Sequence, residues 1–381
     1  MKLIRTLLVV LLAIGALTVR NARAVDDPVQ FLTALRQSGY SDIAVEYLKT
    51  LKDQPNAPAE ITEVWGLEMA KCLRDSAKGA YNEAESKRFM EEAHQEVNKF
   101  IDADPKRPEA VEAAAWWADI QGQGALMDLR KALILSDKTE KSEALAKVRT
   151  ALQEVRPRYV LAAESYRTSL KPLIKAKLTV REQKKKDKFD DLLIEATLKA
   201  AMTDFFVAQT YEEKESADRT AGLAAASKIF DTLFQAHRGT VWGFKAHYLD
   251  GRCQQELGKN DDARAIYEEV LAADDTEGRG NRRSASGLDD FFAEVQQYYL
   301  QCVAALSKNN KKDYFEEVAA WRTSHKTFLE KSDAYQGISF ELVKLLLATA
   351  EKATGTEKTN YSKAALRILG EMSRVNSSYQ T

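Results

Sequence analysis

From about residue 27 onward, apolar side chains return every third or fourth position, and short polar breaks rich in Gly, Asn, Asp or Ser interrupt them. That period places the apolar residues along one stripe of an α-helix. No useful length of chain alternates apolar and polar as a half-buried strand would. The pattern predicts helices near 27–38, 41–53, 58–77, 81–102, 107–135, 138–155, 157–178, 182–212, 215–237, 241–257, 260–273, 289–307, 311–329, 335–353 and 358–375. The chain is therefore expected to be all-α. Pro157 is expected to break or kink the helical run within 138–212, because proline lacks the N–H of the helical ladder.

One stretch shows how successive helices meet. In ELGKNDDARAIYEEVLAAD, Glu256 to Asp274, Gly258 ends one helix and Asn260 and Asp261 are placed to cap the next. Ala263 is small where two helices must approach, and Tyr267 fills space one turn later. Gly251 puts a second small residue on the first helix.

This order of residues resembles the tetratricopeptide repeat, a helix–turn–helix unit with small residues at fixed places. Gly251, Gly258, Ala263 and Tyr267 match the family pattern over about 241–275. Val270 replaces the usual second Ala, and Asp275 stands where Pro is usual. Partial matches recur at Gly39, Ala44 and Leu48, at Ala93, Val97 and Phe100, at Ala226, Phe230 and Leu233, and at Ala365, Leu369 and Met372. Their spacing is irregular: Ala226 and Ala263 are 37 residues apart, Ala44 and Ala93 are 49 apart. The resemblance implies an α-hairpin solenoid over 25–381, a right-handed superhelix whose concave groove holds a peptide or a partner helix. A generic array of α-hairpins would share some of these matches.

Composition narrows the setting. The 381 residues carry a net charge of −1, which gives no general reason to bind nucleic acid. Gly and Pro are sparse, favouring helix. MKLIRTLLVVLLAIGALTVRNARA, residues 1–24, has Lys2 and Arg5, then an apolar run from Leu7 to Leu17 and a small-x-small site at Ala22-Arg23-Ala24, the pattern of a secretory signal peptide. An uncleaved anchor is the competing reading, but the apolar run is short for a span, which needs about 20 residues. No Cys follows it as in a lipoprotein. The expectation is an exported chain, periplasmic or secreted, beginning at Val25, with no integral membrane span in the mature form. Cys72, Cys253 and Cys302 sit on apolar stripes and read as buried small hydrophobes.

Candidate chemistry is thin. His94, His237, His247 and His325 show no metal-ligand spacing, and no nucleophile elbow, P-loop or dinucleotide fingerprint is present. No catalytic residue, cofactor or metal is predicted, and the chain is read as a non-catalytic scaffold or adaptor. Trp116 and Trp117 are adjacent, so only one is expected fully in the core; the other either lines a groove or packs within its hairpin. Arg279, Arg282 and Arg283 stand in a Gly-rich loop that reads as an anion-binding loop or as an exposed connector. The run from Lys171 to Phe189 holds eight basic residues and reads as an anionic-surface contact or as a solvated helix end. The last helix spreads Leu366, Ile368, Leu369 and Met372 over more than one face, so self-association through the C-terminal hairpin is a further expectation. Two rival functions stand beside the scaffold: the non-catalytic helical part of an envelope enzyme such as a lytic transglycosylase, and a glycan- or lipid-binding helical protein.

Overall fold

The computed structural model describes residues 28–52, 54–55, 57–175, 177–276, 288–306 and 311–375. Among them every regular element is helical, and no strand forms. No helix among the described residues is long and apolar enough to cross a membrane. The expected signal peptide and Arg279, Arg282 and Arg283 lie outside the described residues.

The chain divides into two compact units between Ile120 and Gln121. The first holds α1 (Pro28–Gln37), α2 (Ser41–Lys52), α3 (Ala59–Thr62), α4 (Trp65–Lys78), α5 (Glu83–Ala103) and the first half of α6 (Pro108–Leu133). Its core gathers Leu32, Ala44, Leu48, Cys72, Ala93, Val97, Phe100 and Trp117. Gly39 closes α1 with φ +80°, and the Tyr40 N–H donates to the Leu35 carbonyl at 2.9 Å. That left-handed turn satisfies carbonyls the helix leaves open, at a conformation only glycine adopts without strain. The stretch expected as one helix over 58–77 is two. The chain turns at Val64, and the Trp65 indole N–H reaches the Leu48 carbonyl at 3.0 Å, tying α4 to α2.

The second unit contains the rest of α6, then α7 (Lys138–Leu170), α8 (Val180–Gln209), α9 (Ala217–Ala236), α10 (Val241–Glu256), α11 (Asn260–Thr276), α12 (Leu288–Leu306), α13 (Lys311–Leu329), α14 (Asp333–Lys352) and α15 (Gly355–Met372). From α7 to α15 each helix packs on the next, α13 on α14 included. In addition α8 meets α10, α10 meets α12 and α12 meets α14.

Two departures from the sequence pattern stand out here. The helices expected at 138–155 and 157–178 are one helix, α7, running through Pro157. Pro157 is exposed, while Leu152, Val155, Tyr159, Ala162 and Tyr166 on the same helix are buried. The missing N–H thus falls on the solvent side, where water serves the freed carbonyl, and the buried stripe holds the helix together. The helix also stops at Leu170, not 178, because Pro172 steers the chain into a 3₁₀ turn over Lys171–Leu173. Thr179 then caps α8: its hydroxyl accepts from the Glu182 N–H and the Glu182 carboxylate accepts from the Thr179 N–H.

Candidate functional site

The residues matched to the repeat pattern lie at helix contacts. Ala263 and Tyr267 are fully buried on α11. A Cβ on Gly251 would lie 2.6 Å from the Tyr267 ring, so only glycine lets α10 approach α11 this closely. Gly258 has φ +78°, and the Lys259 N–H donates to the Gln254 carbonyl while the Gly258 N–H donates to Gln255, both at 2.9 Å. The turn at Gly39 is built the same way. Ala44 and Ala93 are fully buried in the first unit. The expected capping by Asn260 and Asp261 is not how α11 begins: helix starts at Asn260, and the Lys259 carbonyl accepts from Ala263 at 3.0 Å. Asp261 and Asp262 lie in the first turn, where their charge meets the positive end of the helix dipole.

Two close approaches escaped the sequence reading. A Cβ on Gly66 would lie 3.1 Å from Phe100 Cβ, at the crossing of α4 and α5, and one on Gly222 would lie 3.2 Å from Ala208 Cβ, at that of α9 and α8. Each could have been read as a glycine inside a helix with no turn to explain it.

Trp117 is buried and stacks on His94, rings 5.2 Å apart and 12° from parallel. Its indole N–H has no hydrogen-bond partner. Trp116 is half-buried, 5.8 Å from it. The pair therefore belongs to the core of the first unit, with only the Trp116 edge open.

The richest polar arrangement lies where α8, α10 and α12 meet, at residues the sequence did not single out. Positions 248, 252 and 255 share one face of α10. The Arg252 guanidinium sits 3.6 Å from the centre of the Tyr298 ring on α12 and 5.6 Å from that of Phe205 on α8. Its Nη1 donates to the Tyr248 hydroxyl at 3.1 Å, which donates to the Glu294 carboxylate at 2.7 Å. One turn along, the Gln255 amide accepts from the Tyr267 hydroxyl at 3.0 Å and donates to Gln301 at 3.2 Å. Burial pushes the Tyr248 and Tyr267 hydroxyls well above the usual tyrosine range, so both remain protonated donors. Among the described residues no carboxylate lies within salt-bridge distance of Arg252. The half-buried guanidinium lies over the Tyr298 ring and near that of Phe205, with donors to spare.

A second cluster binds α10 to α9 and α11. His247 stacks on Phe234 at 3.7 Å, and its Nε2 lies 3.1 Å from Glu269. The Ser227 hydroxyl donates to Asp250 at 2.6 Å, and Gln254 donates to both. Burial raises the Asp250 carboxyl above its usual range against those hydrogen bonds. With its proton given to Asp250 and its oxygen taken by Gln254, Ser227 is occupied as a strut between helices. Burial also pushes the thiols up, Cys72 to about 12 and Cys302 to about 11, so they stay protonated and unreactive. Cys72, Cys253 and Cys302 are all free and buried. Among the described residues no group of three or more His, Cys, Asp or Glu is placed to hold a metal ion.

A scan of the chain against models of known protein families finds no match, and a search of characterised proteins finds no similar sequence.

Proposed function

We propose that this chain is an exported, non-catalytic scaffold of tetratricopeptide-like repeats that binds a segment of a partner protein along the α8–α10–α12 face. The observation that carries the reading is the ladder of Arg252, Tyr248, Glu294, Gln255 and Gln301, laid across α10 and α12 with Phe205 of α8 beside Arg252. Such a ladder offers both donors and acceptors to an extended backbone, and stacking on Tyr298 holds Arg252 ready before a ligand arrives. The repeat reading draws support from two further features. Gly39 and Gly258 form the same helix-ending turn. Gly66 faces Phe100 as Gly251 faces Tyr267, a small residue against a large one at these two hairpin crossings. Stacked hairpins of this kind bury faces that none could bury alone.

The test is capture from envelope extract by immobilised protein, wild type against Arg252→Gln and Glu294→Gln, with circular dichroism to verify folding. A set of proteins enriched by wild type and lost by either folded variant is expected. Retention of the same set by both variants would rule out this face as the binding site.

A further inference from the structure

The turn between α7 and α8 carries a charge quite unlike the rest of the chain. Residues 171–188 hold eight basic and two acidic side chains, against a net charge of −1 for the whole protein. Lys175 is engaged with Glu182 at 2.7 Å and Lys186 with Asp190 at 2.6 Å. Among the described residues, Lys171, Lys177, Arg181, Lys184, Lys185 and Lys188 have no carboxylate within salt-bridge distance.

The same turn exposes aliphatic side chains. Ile174 is 76% exposed and Val180 78% exposed, one on each side of the turn. Exposed apolar residues at turns are not unusual in this chain: Tyr81 and Ile134 are more exposed still. Those two lie among mixed charges, Tyr81 between Lys78 and Glu83 and Ile134 between Lys131 and Asp137. Among the described residues, bare aliphatics and a large surplus of lysine coincide only at 171–188.

The turn is also built rather than loose. Leu170 and Leu173 are buried beneath it, and Tyr166 of α7 stacks with Phe189 of α8, rings 6.2 Å apart. Glu182 gathers the Lys175 ammonium and the Thr179 N–H and hydroxyl. These contacts hold its carboxyl down at about 2. The first buried residue of α8 is Ile194. The helix before it therefore carries the turn about 21 Å beyond the core shared with α9 and α10.

We propose that this end of the α7–α8 hairpin docks on the surface of an anionic lipid bilayer. Lys171, Lys177, Arg181, Lys184, Lys185 and Lys188 meet headgroup phosphates while Ile174 and Val180 enter the boundary between headgroups and acyl chains. Charge complementarity selects an anionic surface. The aliphatics select lipid over a dissolved polyanion, which would neutralise the lysines and leave Ile174 and Val180 in water. Docking of this kind is interfacial, and it needs no spanning helix.

The experiment is co-sedimentation of the chain from Val25 with vesicles, so that the apolar leader contributes nothing. One set is phosphatidylcholine alone and the other contains about one third phosphatidylglycerol. The variants are Lys184→Gln/Lys185→Gln/Lys188→Gln and Ile174→Ser/Val180→Ser. All five positions are exposed, so folding is retained and is checked by circular dichroism. Wild type is expected to bind the anionic vesicles at least about 100-fold more tightly than the neutral ones. The lysine variant should lose about 100-fold, since each basic residue near such a surface contributes about fivefold. The aliphatic variant should lose about tenfold or more while keeping its preference for anionic lipid. Equal binding to both vesicles would overturn the proposal. So would an aliphatic variant that binds like wild type, especially if soluble polyphosphate displaces both, because the occupant would then be an acidic polymer. A fluorophore on Val180→Cys supplies a local readout: a blue shift with anionic vesicles supports the proposal, and no shift counts against it.

Discussion

Replacing Gly251 with alanine sets two known effects against each other. Alanine is the better helix former, worth about 0.5–1 kcal/mol over glycine in a helix interior. The new methyl would also lie 2.6 Å from Tyr267 Cε1 and 3.0 Å from both Ile266 Cγ2 and Tyr267 Cδ1. Carbon atoms rest at about 3.5–4.0 Å, so the ring must retreat by roughly 1 Å. Tyr267 is fully buried, so it has no open space to enter. Moving it also strains its hydroxyl contact to Gln255, 3.0 Å long. Overpacking of this kind costs about 1–3 kcal/mol, and a weakened hydrogen bond adds about 1 kcal/mol. The packing cost wins, and Gly251→Ala should destabilise the second unit by about 1–3 kcal/mol. Gly124→Ala and Gly370→Ala are the controls: both glycines are helical, and a Cβ on either would meet nothing within 4 Å. Each should gain about 0.5–1 kcal/mol from propensity alone. All three positions lie beyond Gln121, in the same unit. Urea unfolding followed by circular dichroism reads the differences as shifts of midpoint at constant slope. If Gly251→Ala gains stability as the controls do, the close approach of α10 and α11 is refuted.

Gly243→Ala should cost more, about 3 kcal/mol, because its Cβ would lie 2.2 Å from the His237 carbonyl oxygen, a backbone atom that cannot step aside; the same urea midpoints measure it. Pro157→Ala should stabilise α7 by about 1–3 kcal/mol, since the exposed proline holds a helix interior it does not favour; an unchanged midpoint would mean that the helix bends there for another reason. Asp250→Asn tests the buried carboxyl. Its folded value is raised by burial, so its contribution to stability is complete below the unfolded value of about 3.9 and is lost as pH rises through the folded value. The amide keeps an acceptor for Ser227 and loses the buried charge, so the variant should melt above wild type at pH 7–8, with the gap closing toward pH 4.

Most of the helical order could be read from the chain because burial leaves a periodic trace. Ala44, Ala93, Ala263 and Tyr267 each occupy a position that the 3.6-residue stripe and the small-against-large rule require. The proline departures come from weighing one local rule alone. Pro157 was expected to divide a helix, yet its missing N–H faces solvent while the buried stripe of α7 continues on both sides. Pro172 does end α7, and the apolar period that ran past it concealed the turn. Gly66 and Gly222 were passed over because their partners, Phe100 and Ala208, lie on other helices, and nothing in the local spacing announces a crossing.

Arg252 and the turn at 171–188 left different traces for a related reason. Packing residues answer to the period of their own helix, so one helix suffices to find them. Arg252 takes its character from Phe205, 47 residues earlier, and Tyr298, 46 residues later, and on α10 it reads as one more polar residue among Gln254, Gln255 and Glu256. The lysines of the turn were visible at once, yet charge alone does not separate a docking surface from a solvated helix end. Ile174 and Val180 supply the distinction, and they were hidden because an unbroken helix to residue 178 would have given Ile174 a place on a stripe. Ending the helix at Leu170 turns the same residue outward. The position of one helix end thus decides whether the segment is an ordinary amphipathic surface or a basic tip armed with aliphatics, and the two imply different partners: water for the first, and a surface with both phosphates and hydrocarbon for the second.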